Sequence, residues 1–340
     1  GYRSGVTEYM RQHLKGVITF ATNNTTLKKN DCVLDIGCND GTLLSNYSKD
    51  NFSRIGIDPV AKKYLDLYQN DIKVVTEFFT KDNYFSVTSQ KAKIVTSISM
   101  FYDLENPVSF AKEVASVMSE DGVWVFEQSY LPSMLRQNSY DTICHEHLEY
   151  YSLTAISFIL KEAGMTIVDV SQNEVNGGSV RIAAVINKSG LSSKVSSEAT
   201  WLMEQEKNHD IYALESFKVF QKNVHRQKLD LIRLLQALKE KGKTVIGYGA
   251  STKGNVILQH CGINSELLPY IGDITPSKEG TYSPGTKIPI ISMKAAKEMS
   301  PDYFLVLPWA FRNDILLREK ETLLNGTKFI FPLPFVEIVS

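Results

Sequence analysis

The sequence predicts an α/β protein built from two doubly wound, mainly parallel sheets with a helical segment between them. Three observations predict it. Between residues 33 and 127, short apolar runs alternate with helical patterns. Residues 191–241 contain no Gly and no Pro and repeat apolar side chains at helical spacing. From Lys243 onward the strand–turn–helix alternation resumes. A length of 340 residues suits two domains, and the composition places the change near residues 187/188.

Taken in order, a helix is expected from Thr7 to about Phe20. Strands follow at Val33–Ile36, Arg54–Asp58, Lys73–Val75, Lys93–Ser97 and Gly122–Glu127. Helices fit Thr42–Lys49, Ala61–Leu67 and Val108–Val117. Thr166–Ser171 and Ser179–Ile186, joined by an Asn/Gly loop, read as an antiparallel edge hairpin. Phe217, Phe220, Val224, Leu231, Leu235 and Leu238 make the stripe of one long helix or two. Beyond it come a strand at Lys243–Tyr248, a helix from about Gly254, and strands near Leu268–Gly272, Tyr303–Leu307 and Lys328–Phe331.

With 43% hydrophobic and 22% charged residues, the chain can bury a core without disulfides or metal. Its formal net charge of -1 argues against a general nucleic-acid binder. The cysteines, Cys32, Cys38, Cys144 and Cys261, form no C-x-x-C pair, so no zinc module or metal site is expected. Scattered thiols and the lack of an 18-residue apolar run point to a cytoplasmic protein off the membrane. A monomer or homodimer is expected.

"VLDIGCNDGTLL" (Val33–Leu44) reads as an apolar strand, a tight turn and a helix start. Gly37 lets a ligand approach the backbone, and amides near Gly41 would face an anionic group. Asp58, about 20 residues on, stands where an acid can accept both hydroxyls of a ribose. Asn39 replaces the second glycine of the dinucleotide fingerprint, which counts against NAD. Asp35, the D-x-G-x-x-D-G spacing and Asp58 together resemble the class I methyltransferases that use S-adenosyl-L-methionine. The expected cofactor residues are Asp35, Gly37, Asn39, Asp40, Asp58, the aromatic pair Phe78 and Phe79, and Ser99 and Met100 after the fourth strand.

"YDTICHEHLEYYS" (Tyr140–Ser152) is the densest titratable cluster. His145 and His147 flank Glu146 without the four-residue spacing of a helical zinc site, so acid–base chemistry is the sharper reading. Tyr102, Cys144, Tyr150 and Arg181 of "NGGSVR" are candidate substrate contacts; Arg181 suits a phosphate. A second Gly-rich turn, "VIGYGASTKGNVIL" (Val245–Leu258), offers Gly249, Ser251, Lys253 and Asn255 to a phosphorylated ligand, with Asp273 in the ribose position. A degenerate turn serving only as a lid is the competing reading.

Assembled, these segments resemble the sugar C-methyltransferases of deoxysugar biosynthesis over nearly the whole chain. The resemblance also takes in "YRSG" (Tyr2–Gly5), "PGTKIPI" (Pro284–Ile290) and "VLPWAFRNDI" (Val306–Ile315). It implies a class I methyltransferase domain at 1–187. A helical segment and a second Rossmann-like, substrate-binding domain would occupy 188–340, with a Cys-rich zinc module ahead of Tyr2 that these residues lack. It further implies methylation at C-3 of a nucleotide-linked 4-keto-deoxysugar, with His147 as base and Tyr2 and Glu146 positioning the sugar. Two departures stand out. Cys144 replaces a tyrosine before H-E-H, and Tyr102 and Asp103 occupy a loop that often carries a histidine. They leave open O-methylation of a sugar or another phosphorylated metabolite. A non-catalytic sugar-nucleotide binder and an NAD enzyme using the second turn are the readings from other classes.

Overall fold

The computed structural model describes residues 3–340; Gly1 and the expected site residue Tyr2 lie outside them. The chain divides into two compact units. The first comprises the described residues up to Tyr130, Leu148–Asn173 and Ser179–His209. The second comprises Leu131–His147, Glu174–Gly178 and the chain from Asp210 onward. This corrects a single cut at residues 187/188. The reason is packing: Ala199 and Leu202 of the helix Ser197–Asn208 bury themselves in the first core. Tyr140, by contrast, belongs to the second core and donates its hydroxyl to Gln227 at 2.8 Å.

The first unit carries a seven-stranded sheet in the order β3-β2-β1-β4-β5-β7-β6. Its strands are β1 (Cys32–Ile36), β2 (Ser53–Ile57), β3 (Ile72–Val75), β4 (Ala92–Ile98), β5 (Met118–Ser129), β6 (Met165–Asn173) and β7 (Ser179–Ile186). β1 to β5 pair in parallel, and β7 runs antiparallel to both β5 and β6. The expected edge hairpin is present, with β7 placed inside and β6 outermost. Strands β1 and β4 are buried along nearly their whole length because both faces are covered.

Alternation along β5 sorts its side chains. Trp124 and Phe126 face one core with Phe101, their rings stacked at 4.3 Å, and Trp124 Nε1 donates to Ser97 Oγ at 2.9 Å. Val123 and Val125 face the other core, against Leu14, Val17 and Ala21 of the helix Glu8–Asn24. Two expected helices are absent. Thr42–Lys49 forms only a 3-10 turn at Leu44–Asn46, and Ala61–Leu67 is two 3-10 turns at Pro59–Lys63 and Leu65–Leu67. Gly41 is left-handed at φ 75°, and Ser45 and Asn46 turn their side chains onto the carbonyls of Gly41 and Thr42, which competes with a helix. The anion site expected at a helix N-terminus there is therefore not built.

The second unit carries a six-stranded sheet, β10-β9-β8-β11-β12-β13. Its strands are β8 (Val245–Tyr248), β9 (Ile271–Asp273), β10 (Ile290–Ser292), β11 (Tyr303–Val306), β12 (Lys328–Phe331) and β13 (Glu337–Val339); only β13 is antiparallel. β10 and β13, three residues each, are too short to show a period in the sequence. The Gly-free segment is two helices, Ser197–Asn208 and Leu214–Glu240, and Leu231, Leu235 and Leu238 of the longer one enter the second core.

Gly56 marks where β2 meets the first turn. A Cβ there would stand 2.6 Å from Cys38 Sγ and 3.1 Å from Leu44 Cδ1. Gly56→Ala is expected to destabilise the protein by about 1–3 kcal/mol through overpacking, read as a lower denaturation midpoint at unchanged slope.

Candidate active site

In the first unit the turn after β1 is a run of left-handed backbone: Gly37 (φ 76°), Asn39 (φ 50°) and Gly41 (φ 75°). Such conformations are costly for residues other than glycine and persist only where the surroundings fix them. Asp58, at the end of β2, does part of that fixing. Its carboxylate accepts the Asn39 backbone N–H at 2.8 Å and the Val60 N–H at 2.7 Å. Tyr68 donates its hydroxyl to the Asn39 carbonyl at 2.8 Å. Each Asp58 oxygen keeps further acceptor capacity.

The other expected cofactor residues separate into two groups. Gly37 is open: a Cβ there would meet Met100 Cγ at 3.4 Å as its nearest neighbour. Ser99 follows β4 with φ 56°, and its N–H donates to the Glu127 carbonyl at 2.7 Å. Phe78 presents its ring to solvent. Open backbone at Gly37, an acid with spare acceptor capacity and an exposed ring fit a nucleoside-bearing cofactor.

Asp35, Asp40 and Phe79 are spent elsewhere, which corrects their expected role. Asp35 is buried within the sheet, where it accepts the Thr96 hydroxyl at 2.6 Å; burial pushes its carboxyl up to about 7. Asp40 takes Arg3 Nε, Gly5 N, Thr42 N and Thr42 Oγ1, so its carboxylate fastens the incoming chain to the turn. Phe79 packs edge-on to Phe110 at 5.5 Å.

In the loop after β4, the buried Tyr102 lends its carbonyl to the backbone N–H groups of Leu148 and Glu149, at 3.0 and 3.1 Å. Half-buried Tyr150 lies on that segment. Arg181 is not an open phosphate clamp. It is buried in β7 and pairs through Nη2 and Nε with Glu127 Oε2, at 2.8 Å in each case. Glu127 also accepts Asn173 Nδ2 at 2.9 Å, and its Oε1 lies 2.6 Å from His13 Nε2. Burial alone would raise the Glu127 carboxyl. The hydrogen bond and charge of His13 and the charge of Arg181 outweigh it and hold the group below its ordinary value. This network escaped the sequence reading because His13, Glu127, Asn173 and Arg181 come from four separated segments.

The H-E-H residues belong to the second unit. His145 and Glu146 are exposed; His147 and Cys144 are half-buried. Burial, then the nearby Lys253 charge, lower the His147 imidazole, against a backbone hydrogen bond to Thr142 and the charge of Glu146. Lys253 reaches the Asn176 carbonyl at 2.9 Å and Thr142 Oγ1 at 3.4 Å. Asp141, beside Thr142, accepts Trp309 Nε1 at 2.7 Å.

The second Gly-rich turn is closed, which corrects the phosphate site expected there. A Cβ on Gly249 would lie 2.9 Å from the Pro308 ring, and Ser251 Oγ caps the following helix by accepting Gly254 N–H. Asp273 accepts Ala250 N–H and Thr275 N–H at 2.7 and 2.8 Å. Asn255 is half-buried on the first turn of that helix. No cluster of three His, Cys, Asp or Glu that could hold a metal occurs among the described residues, and none of their helices is long and apolar enough to cross a membrane.

Comparison with known proteins gives two family matches, "Methyltransferase domain" over residues 6–170 and "C-methyltransferase C-terminal domain" over residues 174–334. The C-methyltransferase NovU of Streptomyces niveus is 28% identical over 331 residues, covering 97% of this chain and 78% of its own. Among solved structures, the plantazolicin methyltransferase BpumL, in complex with a triazolic desmethylPZN analog and SAH, shares 14% identity at a TM-score of 0.42. That alignment covers 54% of this chain and 86% of BpumL. The magnesium protoporphyrin IX methyltransferase ChlM of Synechocystis PCC 6803, with bound SAH, shares 14% identity at a TM-score of 0.38, covering 54% and 90%.

Removing the Glu127 carboxylate leaves Arg181 buried without its counter-charge. Glu127→Ala is expected to cost about 3–5 kcal/mol, measured by urea unfolding at neutral pH; stability within about 1 kcal/mol of wild type would show that the network contributes little.

Proposed function

We propose that this S-adenosyl-L-methionine-dependent methyltransferase, similar in its two halves to a methyltransferase domain and a C-methyltransferase C-terminal domain, methylates a carbon of a nucleotide-linked keto-deoxysugar. The observation that carries the reading is His147, a half-buried imidazole whose pKa is lowered by burial and then by the nearby Lys253 charge. A carbon beside a ketone becomes a nucleophile only when its proton is taken, and a neutral imidazole takes protons near neutral pH.

When bound, S-adenosyl-L-methionine supplies an electrophilic methyl group on a sulfonium. Gly37 and the left-handed turn would admit the cofactor's amino-acid end, Asp58 would accept its ribose hydroxyls, and Ser99 and Met100 would border it. His147 accepts the proton from the carbon next to the ketone, and Glu146 and Tyr2 position the sugar. The carbon left with the electron pair is the nucleophile for the methyl group that the cofactor would supply.

O-methylation of a sugar or another phosphorylated metabolite is the second reading. Cys144 before H-E-H and Tyr102 in the loop after β4 depart from the pattern that the sequence resembles and leave it open. Incubation with methyl-labelled cofactor in deuterated water separates the two. Carbon methylation leaves the label on carbon with loss of the neighbouring proton; label found on oxygen alone rejects the first reading.

Three outcomes test the residue roles. His147→Ala should lower turnover by ~10²–10⁴-fold with cofactor affinity retained; full activity in that variant would remove it from the mechanism. Because the His147 value is lowered, the neutral form persists in acid, and the acidic limb of kcat/KM should fall below the ordinary histidine value of about 6.5. Asp58→Ala should weaken cofactor binding by roughly tenfold or more, measured calorimetrically with S-adenosylhomocysteine.

A further inference from the structure

Gln128 is fully buried near the end of β5, and among the described residues neither its amide oxygen nor its amide nitrogen has a hydrogen-bond partner. Tyr151 is buried as well, and its hydroxyl has no partner either. Buried polar groups are almost always paired, and one left unpaired costs about 1–3 kcal/mol. A fold that retains two such side chains in one neighbourhood is holding hydrogen bonds in reserve.

The neighbourhood is defined by contacts inside the first unit. Strand alternation puts Gln128 on the face of Trp124 and Phe126, away from Glu127 and Arg181. Phe101 lies 5.2 Å from the Phe126 ring and 5.5 Å from the Tyr151 ring, so Tyr151 packs on that same face. The Tyr102 carbonyl, which holds Leu148 and Glu149, fixes the segment leading to Tyr151. The residue before Gln128 accepts the Ser99 N–H through its carbonyl, and Met100 borders the open side of Gly37. Gln128 and Tyr151 thus stand at the carboxyl ends of β4 and β5, where sheets of this class receive ligands.

We propose that the Gln128 amide and the Tyr151 hydroxyl form the polar subsite that reads the oxygen substituents of the methyl acceptor. An amide gives a donor and an acceptor in one plane. A carbonyl beside a hydroxyl supplies the matching pair, and the Tyr151 hydroxyl serves a further oxygen. The assignment deepens the keto-sugar reading and rests on it. Neither residue moves a proton; both set acceptor affinity and orientation.

Gln128→Met keeps the volume and removes the amide, and Tyr151→Phe removes only the hydroxyl. Both should melt at or above the wild-type temperature, because each deletes an unpaired buried polar group. Affinity for S-adenosylhomocysteine should be unchanged. With S-adenosylhomocysteine present, calorimetry with thymidine- and uridine-diphosphate-linked 4-keto-6-deoxyhexose should show at least one probe binding wild type, and each variant binding it roughly tenfold or more weakly. Wild-type probe affinity in both variants overturns the subsite and leaves the keto-sugar reading standing. Failure of both probes to bind wild type overturns the keto-sugar reading and the subsite with it. Should Gln128→Met fail to fold, the Tyr151→Phe measurement alone decides, with unchanged probe affinity again the overturning result.

Discussion

The first unit depends on one buried carboxylate. Glu127 joins the helix Glu8–Asn24 through His13, the outer strand β6 through Asn173, and β7 through Arg181, while its own carbonyl holds Ser99. A lone buried carboxylate would neutralise itself; this one is kept charged by its partners. An ion pair so placed gains little over an apolar replacement. Its value is geometric, since it fixes the antiparallel edge and the loop after β4 to the same strand.

The turn after β1 is costly locally. Gly37, Asn39, Gly41 and Ser99 all have positive φ, and Asp58 and Tyr68 hold Asn39 from two sides. Strain and unpaired polar groups gathered at one end of a sheet persist only where the surrounding contacts fix them.

The second unit has gone the opposite way. Pro308 packs closely against Gly249 of its glycine turn, and Asp273, the acid that would meet a ribose, accepts two backbone N–H groups and pairs with Lys278. Its charged groups act on its own loops: Lys253 ties Thr142 and Asn176 together and bears on His147. A nucleotide-binding topology need not bind a nucleotide at that turn; partners formed inside the fold decide whether the turn stays open.

Local chemistry made much of this legible in the sequence. Alternating apolar runs gave the parallel strands, Gly37 and Asp58 marked the tight turn after β1 and the acid facing it, and the Gly-free stretch gave the long helices. These signals are short in range, so the sequence by itself determined them. It could not settle which residues near those motifs face a ligand. Asp35, Asp40, Arg181 and Lys253 carry the right groups but spend them on partners 35 to 111 positions away. Gln128 and Tyr151 look ordinary in sequence and gain meaning only from burial without partners. Periodicity records which face of an element is apolar; pairing between distant segments is made by tertiary contact, and that alone decided which polar groups remain available.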